Sequence, residues 1–148
     1  LDQGATQALP ILKVGSRRLS GHLETMFGTQ IADKTDWRKL LKGEAEPLDL
    51  IEQRDQILEE FAPKIQTIRD EFSQNLEFQE TVEFLENELP REFMYPVEHY
   101  TEKIKSHNLD KTPIIRGKLQ GIKGQYLILD TGVINIRKYT GYELILRA

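Results

Sequence analysis

Between Leu48 and Leu76 the apolar residues Ile51, Leu58, Phe61, Ile65, Ile68, Phe72 and Leu76 recur at spacings of 7, 3, 4, 3, 4 and 4. That rhythm places them on one side of an amphipathic helix and forces the chain to supply a surface to cover it. Pro47 suits the first helical position, whereas Pro63 falls inside the pattern and is expected to kink the helix near Ala62 or divide it. After "SQN", Phe78, Val82, Leu85 and Leu89 give a second stripe at spacings of 4, 3 and 4 that stops at Pro90. Two such helices predict an antiparallel helical hairpin. The same stripe also fits a coiled coil that pairs two subunits as a homodimer.

From Phe93 onward the period changes to two. "EFMYPV" reads as an edge strand, because Pro96 has no amide to donate. Four further strands are expected near 113–120, 125–130, 133–138 and 142–147, joined by "KG", "DTG" and "TG" turns. The set is too short for a sandwich and predicts a small antiparallel β-barrel of SH3-like or OB-like kind. Alternation assigns Ile115, Leu119, Leu127, Leu129, Ile134, Ile136, Leu144 and Leu146 to its interior. The opposite side mixes Tyr126, Ile128, Val133, Tyr139 and Ile145 with Arg116, Lys118 and Arg137. Either the helical half covers the apolar part of that side, or an aromatic and basic groove stays open for a partner.

Upstream, "ALPILKV" predicts a short strand, and Ser20 is the expected cap of a helix through "GHLETMFGTQIAD". Thr35 is placed to cap a second helix, "DWRKLLKG", whose buried side is Trp37, Leu40 and Leu41. "GSRRLSGH" sets Arg17 and Arg18 at the mouth of a helix, a candidate anion-binding position. The fold class expected is therefore α+β: an N-terminal helical part with a long kinked helix and hairpin, then the small barrel. The segments divide at 1–46, 47–92 and 93–148.

Net charge narrows the choice of partner. Residues 1–46 carry seven basic and six acidic side chains, residues 47–100 four and fourteen, and residues 101–148 nine and four, giving +1, −10 and +5. A nucleic-acid-binding face would have to lie in the last segment, since the middle one repels phosphate. The chain of 148 residues has no cysteine, which rules out disulfides and thiolate metal sites within it. No apolar run approaches the ~18 residues that span a bilayer and no signal peptide is evident, so the cytoplasm is the expected compartment and no membrane the expected partner. His22, His99 and His107 lie far apart without an HExxH or similar frame, and no phosphate loop or nucleophile elbow occurs. The sequence holds no complete active site of its own. The chain opens on Leu1 rather than Met, which suggests a processed fragment with a segment missing upstream.

"LDQGATQALPI", "SRRLSGHLE", "IADKTDWRKLLKG", "SHNLDKTP" and "GKLQGIKGQYLILDTGVINIRKYTGYE" together resemble the C-terminal half of a bacterial family catalogued as domain of unknown function 2797. Longer members carry, ahead of the matching region, a cysteine-rich segment of zinc-site type and a stretch similar to the GIY-YIG nucleases. The resemblance implies that residues 1–46 are the end of a GIY-YIG-like segment, with "ALPILKVGS" its last strand and "SGHLETMFG" the helix after it. It also implies a metal-binding role for Glu24, the glutamate on that helix, because hard divalent cations take carboxylate oxygen. The tyrosine-bearing strands that complete such a site are missing. A divalent metal or zinc thus belongs to the longer members, and no cofactor is expected in these residues.

Two functions follow as expectations. The first is a nucleic-acid-associated module of a nuclease-like protein, in which Arg116, Lys118, Lys123, Arg137 and Lys138 meet phosphates and Tyr126 and Tyr139 stack on bases. The second is a structural or protein-interaction scaffold for the upstream segment or a second subunit.

Overall fold

Asp49 starts the longest helix by accepting hydrogen bonds from the amides of Ile51 and Glu52, each at 3.1 Å. A carboxylate at that position satisfies amides that have no partner inside the helix, and it sets the first helical residue at Leu50, three beyond the expected Pro47. The computed structural model describes residues 1–32, 36–43, 46–74, 81–101 and 104–147. Over these residues the chain is mixed α+β. The elements in order are β1 (Gln7–Ala8), β2 (Leu12–Val14), α1 (Arg17–Phe27), α2 (Trp37–Leu40), α3 (Leu50–Ser73), β3 (Val82–Phe84), β4 (Arg91–Glu92), β5 (Leu119–Lys123), β6 (Tyr126–Leu129) and β7 (Gly132–Asn135). A 3₁₀ turn, Ile136–Tyr139, follows β7.

The chain forms two compact units, one from Leu1–Thr6, Thr35–Glu46 and Phe93–Ala148, the other from Gln7–Lys34 and Pro47–Glu92. Each draws on separated stretches, so the units cut across the linear segments 1–46, 47–92 and 93–148. We call them the sheet unit and the helix unit.

In the helix unit, α3 runs through Pro63 to Ser73 without division. Its stripe is the core: Phe61 and Ile65 are buried with Leu19 and Leu23 of α1, flanked by Ile57, Leu58, Ile68 and Phe72. Leu76 and Phe78, the last and first residues of the two stripes, lie outside the described residues. The second helix of the expected hairpin is not formed by the described residues after them. Val82–Phe84 instead pair antiparallel with β2, setting Leu12 opposite Phe84 and Val14 opposite Val82. Val82 and Phe84, two apart, share one side of a strand, whereas the helical spacing joined Val82 to Phe78 and Leu85; pairing with β2 decides for the strand. Leu89, which would have continued the stripe, is exposed.

Arg54 explains how the loop after β3 is held. Its side chain is only 7% exposed on α3, yet Nη1 donates to the carbonyl of Glu86 at 2.6 Å and reaches those of Glu88 at 3.4 Å and Leu85 at 3.5 Å. Nε donates to Asp55 at 2.9 Å.

In the sheet unit, β5, β6 and β7 form an antiparallel sheet in that order. The flanks of the sheet are occupied by irregular chain. Ile122 donates its amide to Pro96 and Glu98 donates to Gln120, at 2.9 and 2.8 Å, while Val133 exchanges bonds with Lys105 and His107 at 2.8 Å each. Gly121 is needed for the first approach, because a Cβ there would lie 2.7 Å from the Cα of Val97.

Among the described residues no sheet closes into a barrel. Residues 113–118 and 142–147 have no ladder, and the expected strand over 133–138 stops at Asn135. Asn135 accepts from the amide of Arg137 at 3.1 Å and so turns the chain into the 3₁₀ segment. The expected interior is also reversed. Tyr126, Ile128, Val133 and Tyr139 are buried, whereas Leu119 is 49% and Leu144 55% exposed. Leu41, Trp37 and Leu40 from the α2 region, with Val97, Tyr100 and Ile104, cover the Tyr126 side. Asp36 caps α2 through the amides of Arg38 and Lys39 at 3.0 and 3.2 Å; Thr35, the expected cap, lies outside the described residues.

Candidate functional site

Strand pairing puts Lys123 opposite Tyr126 and Gly121 opposite Ile128, so all four share one side of the sheet. That side faces the core, and Lys123 is 0% exposed. A buried ammonium needs acceptors, since desolvation without them costs several kcal/mol. Nζ of Lys123 donates to the main-chain carbonyls of Leu40 at 3.1 Å and Gly43 at 3.0 Å and to the Tyr100 hydroxyl at 3.3 Å. It also lies 4.9 Å from the Tyr100 ring centroid. Lys123 therefore ties α2 and the turn after it to the sheet, and its ammonium is not presented to a phosphate.

The two expected stacking residues are likewise enclosed. Tyr126 stacks on Trp37, with ring centroids 6.0 Å apart and planes 11° off parallel. The Tyr139 hydroxyl accepts from the Leu109 amide at 2.9 Å, and its ring is buried. Neither ring is open to a base.

Arg116, Lys118, Arg137 and Lys138 are exposed. The backbone beneath the first two is tied down: Thr131 donates its hydroxyl to the Arg116 carbonyl at 3.1 Å, and Lys118 donates its amide to Asp130 at 2.8 Å. Arg137 lies 3.7 Å from Asp2 and Lys138 3.9 Å from Asp110, pairs that offset part of their charge at an exposed site. Asp110 also accepts from the Tyr142 hydroxyl at 2.8 Å; that hydrogen bond, and then the Asp110 charge, raise the Tyr142 pKa. Tyr95 donates to the carbonyls of Leu1 at 3.1 Å and Ala5 at 2.9 Å. Burial, with the Asp2 charge behind it, raises its pKa.

In the helix unit, Ser16 and not Ser20 caps α1, accepting from the Leu19 amide at 3.1 Å. Arg17 and Arg18 consequently sit in the first turn. Both are exposed, and the Arg18 guanidinium lies 5.4 Å from the Phe72 ring centroid. Glu24 stands on the wall of an open groove of about 440 Å³ that Leu12, Val14, Leu23, Phe27 and Ile31 make largely apolar. Among the described residues no three His, Asp or Glu side chains gather to hold a metal, so Glu24 has no co-ligands there.

Sequence reasoning missed Arg54 and misplaced Lys123. The available signal for Lys123 was its parity with Tyr126 and Ile128 across a two-residue turn. For Arg54 it was an arginine three residues from Ile51 and four from Leu58, on the edge of the helix stripe.

The family described as Protein of unknown function (DUF2797) matches residues 1–144. The chain belongs to that family. No curated protein and no solved structure matches the chain. The DUF2797 match takes in both units and both buried cations, Arg54 and Lys123. Among the described residues of this family member, no helix is long and apolar enough to cross a membrane.

Proposed function

We propose that this DUF2797 chain is a protein-interaction scaffold rather than a nucleic-acid-binding module. The observation that carries the reading is the distribution of side chains across the β5–β7 sheet. Its aromatic and cationic side, the surface that would read nucleic acid, is core, with Lys123, Tyr126 and Tyr139 all enclosed. Its other side carries Leu119, Ile122, Leu127, Leu129 and Ile134, which are exposed or half-buried. Aliphatic surface of that kind gains by meeting another apolar surface and gains nothing from phosphate.

The nucleic-acid reading retains Arg116, Lys118, Arg137 and Lys138 as exposed cations. The strand-then-helix order of β2 and α1 supports the GIY-YIG likeness of that segment, in which Glu24 would need carboxylate or histidine partners from elsewhere to hold a cation.

Titration of labelled single- and double-stranded oligonucleotides, followed by fluorescence anisotropy at low and physiological salt, tests the proposal. It predicts no saturable binding at either salt. Binding that weakens by about one log unit per log of salt for each phosphate contact, and that disappears in Arg137→Glu/Lys138→Glu, would overturn it.

A further inference from the structure

The segment Tyr142–Arg147 reads YELILR, and among the described residues it belongs to no ladder. Leu144 is 55%, Ile145 77% and Leu146 93% exposed. Among the described residues, no backbone hydrogen bond involves residues 143–147 and neither Glu143 nor Arg147 has an ion-pair partner. Residues 143–147, without Pro or Gly and with three large aliphatics in a row, offer a row of amides and carbonyls that a second strand will complete.

Within its own unit the sheet leaves little room for it. Residues 96–98 already bond to β5 and residues 105–107 to β7. The segment itself indicates a different occupant. Laid antiparallel on a copy of itself and centred on Ile145, it sets Glu143 opposite the partner's Arg147 at one end and Arg147 opposite the partner's Glu143 at the other. Leu144 then faces the partner's Leu146, and Ile145 faces the partner's Ile145. Opposite charges directly across an antiparallel ladder are favourable. A parallel arrangement would set glutamate beside glutamate and arginine beside arginine, which is not.

We infer that this segment is a homodimerisation strand: two copies of the chain join through antiparallel pairing of residues 143–147 about Ile145, in an isologous interface. The inference stands on the segment alone and does not depend on the exposed side of the β5–β7 sheet or on nucleic-acid binding.

Sedimentation velocity over a concentration series tests it with charge reversal. The wild-type chain should show a monomer–dimer equilibrium. Glu143→Arg alone and Arg147→Glu alone should each weaken the dimer on the order of tenfold, because each creates two like-charge pairs. The double variant Glu143→Arg/Arg147→Glu restores opposite charges in the same register and should recover the wild-type constant. Ile145→Pro, which removes the amide at the centre of the ladder, should leave a folded monomer by circular dichroism. A wild-type chain that is monomeric at every concentration overturns the inference. So does a dimer indifferent to the single reversals, or a double variant no better than the singles.

Discussion

Among the described residues each unit buries one cation, and the two are handled differently. Arg54 in the helix unit reaches across to a loop, where one terminal nitrogen meets the carbonyls of Leu85, Glu86 and Glu88 while Nε keeps a carboxylate partner, Asp55. Lys123 in the sheet unit is more deeply enclosed and finds two carbonyls and a phenol. The guanidinium is a planar fork that serves several acceptors at once, while the ammonium is a compact charge on a flexible stem. The helix unit therefore fastens a loop from its flank, and the sheet unit fastens its cover from inside the core. In both, main-chain carbonyls accept from one long buried side chain.

If Lys123 organises the sheet unit, Lys123→Met, which keeps the stem and removes the ammonium, should have the largest effect. It leaves two carbonyls and a hydroxyl short of a donor, at a cost of about 3 kcal/mol, read as a lower urea midpoint with unchanged slope. Arg54→Lys sharpens the contrast: it keeps the charge but loses the fork, and should cost about 1–2 kcal/mol by the same measurement. An Arg54→Lys chain as stable as wild type would show that charge alone suffices in the helix unit. Asp49→Ala removes the cap of α3 and should cost about 1 kcal/mol, without altering the sheet unit's near-ultraviolet signal from Trp37.

The smallest effect is at the sheet unit's surface, where Tyr142 donates to Asp110. Its pKa is raised in the folded chain, so the folded state holds that proton longer than the unfolded one. The associated stability is present below the ordinary phenol value of about 10 and is lost as pH rises through the folded value. Absorbance at the phenolate band should show Tyr95 and Tyr142 titrating late, and Asp110→Ala should bring the Tyr142 value down while leaving Tyr95 late.

The stripe Phe61, Ile65, Ile68 and Phe72 was legible because it serves a single helix with one covered side. So was Trp37 with Leu40 and Leu41, whose burial against the sheet followed from their spacing. The two sides of the sheet were not legible. Along β6 the residues Tyr126, Leu127, Ile128 and Leu129 are all apolar, so alternation separates two sets without telling which one is covered. Part of the cover comes from residues 37–41, about ninety positions earlier in the chain, and the rest from Val97, Tyr100 and Ile104, and nothing local to β6 announces either. Lys123 was read as a surface cation because charge on a strand normally faces water; its carbonyl partners lie 83 and 80 residues away. The Phe78–Leu89 stripe misled because Val82 fits either period until β2 is present to pair with it.

The side of the sheet that holds Lys123 decides whether this surface is a core or a binding face, and lysine chemistry reads it directly. The native chain is treated with a limiting amine-reactive acetylating reagent, and the extent of modification at each lysine is followed over time by peptide mass spectrometry. The account predicts that Lys118 and Lys138 acetylate readily while Lys123 stays unmodified until urea unfolds the chain. Acetylation of Lys123 at the rate of Lys118 in the folded protein would contradict it and return that side of the sheet to solvent.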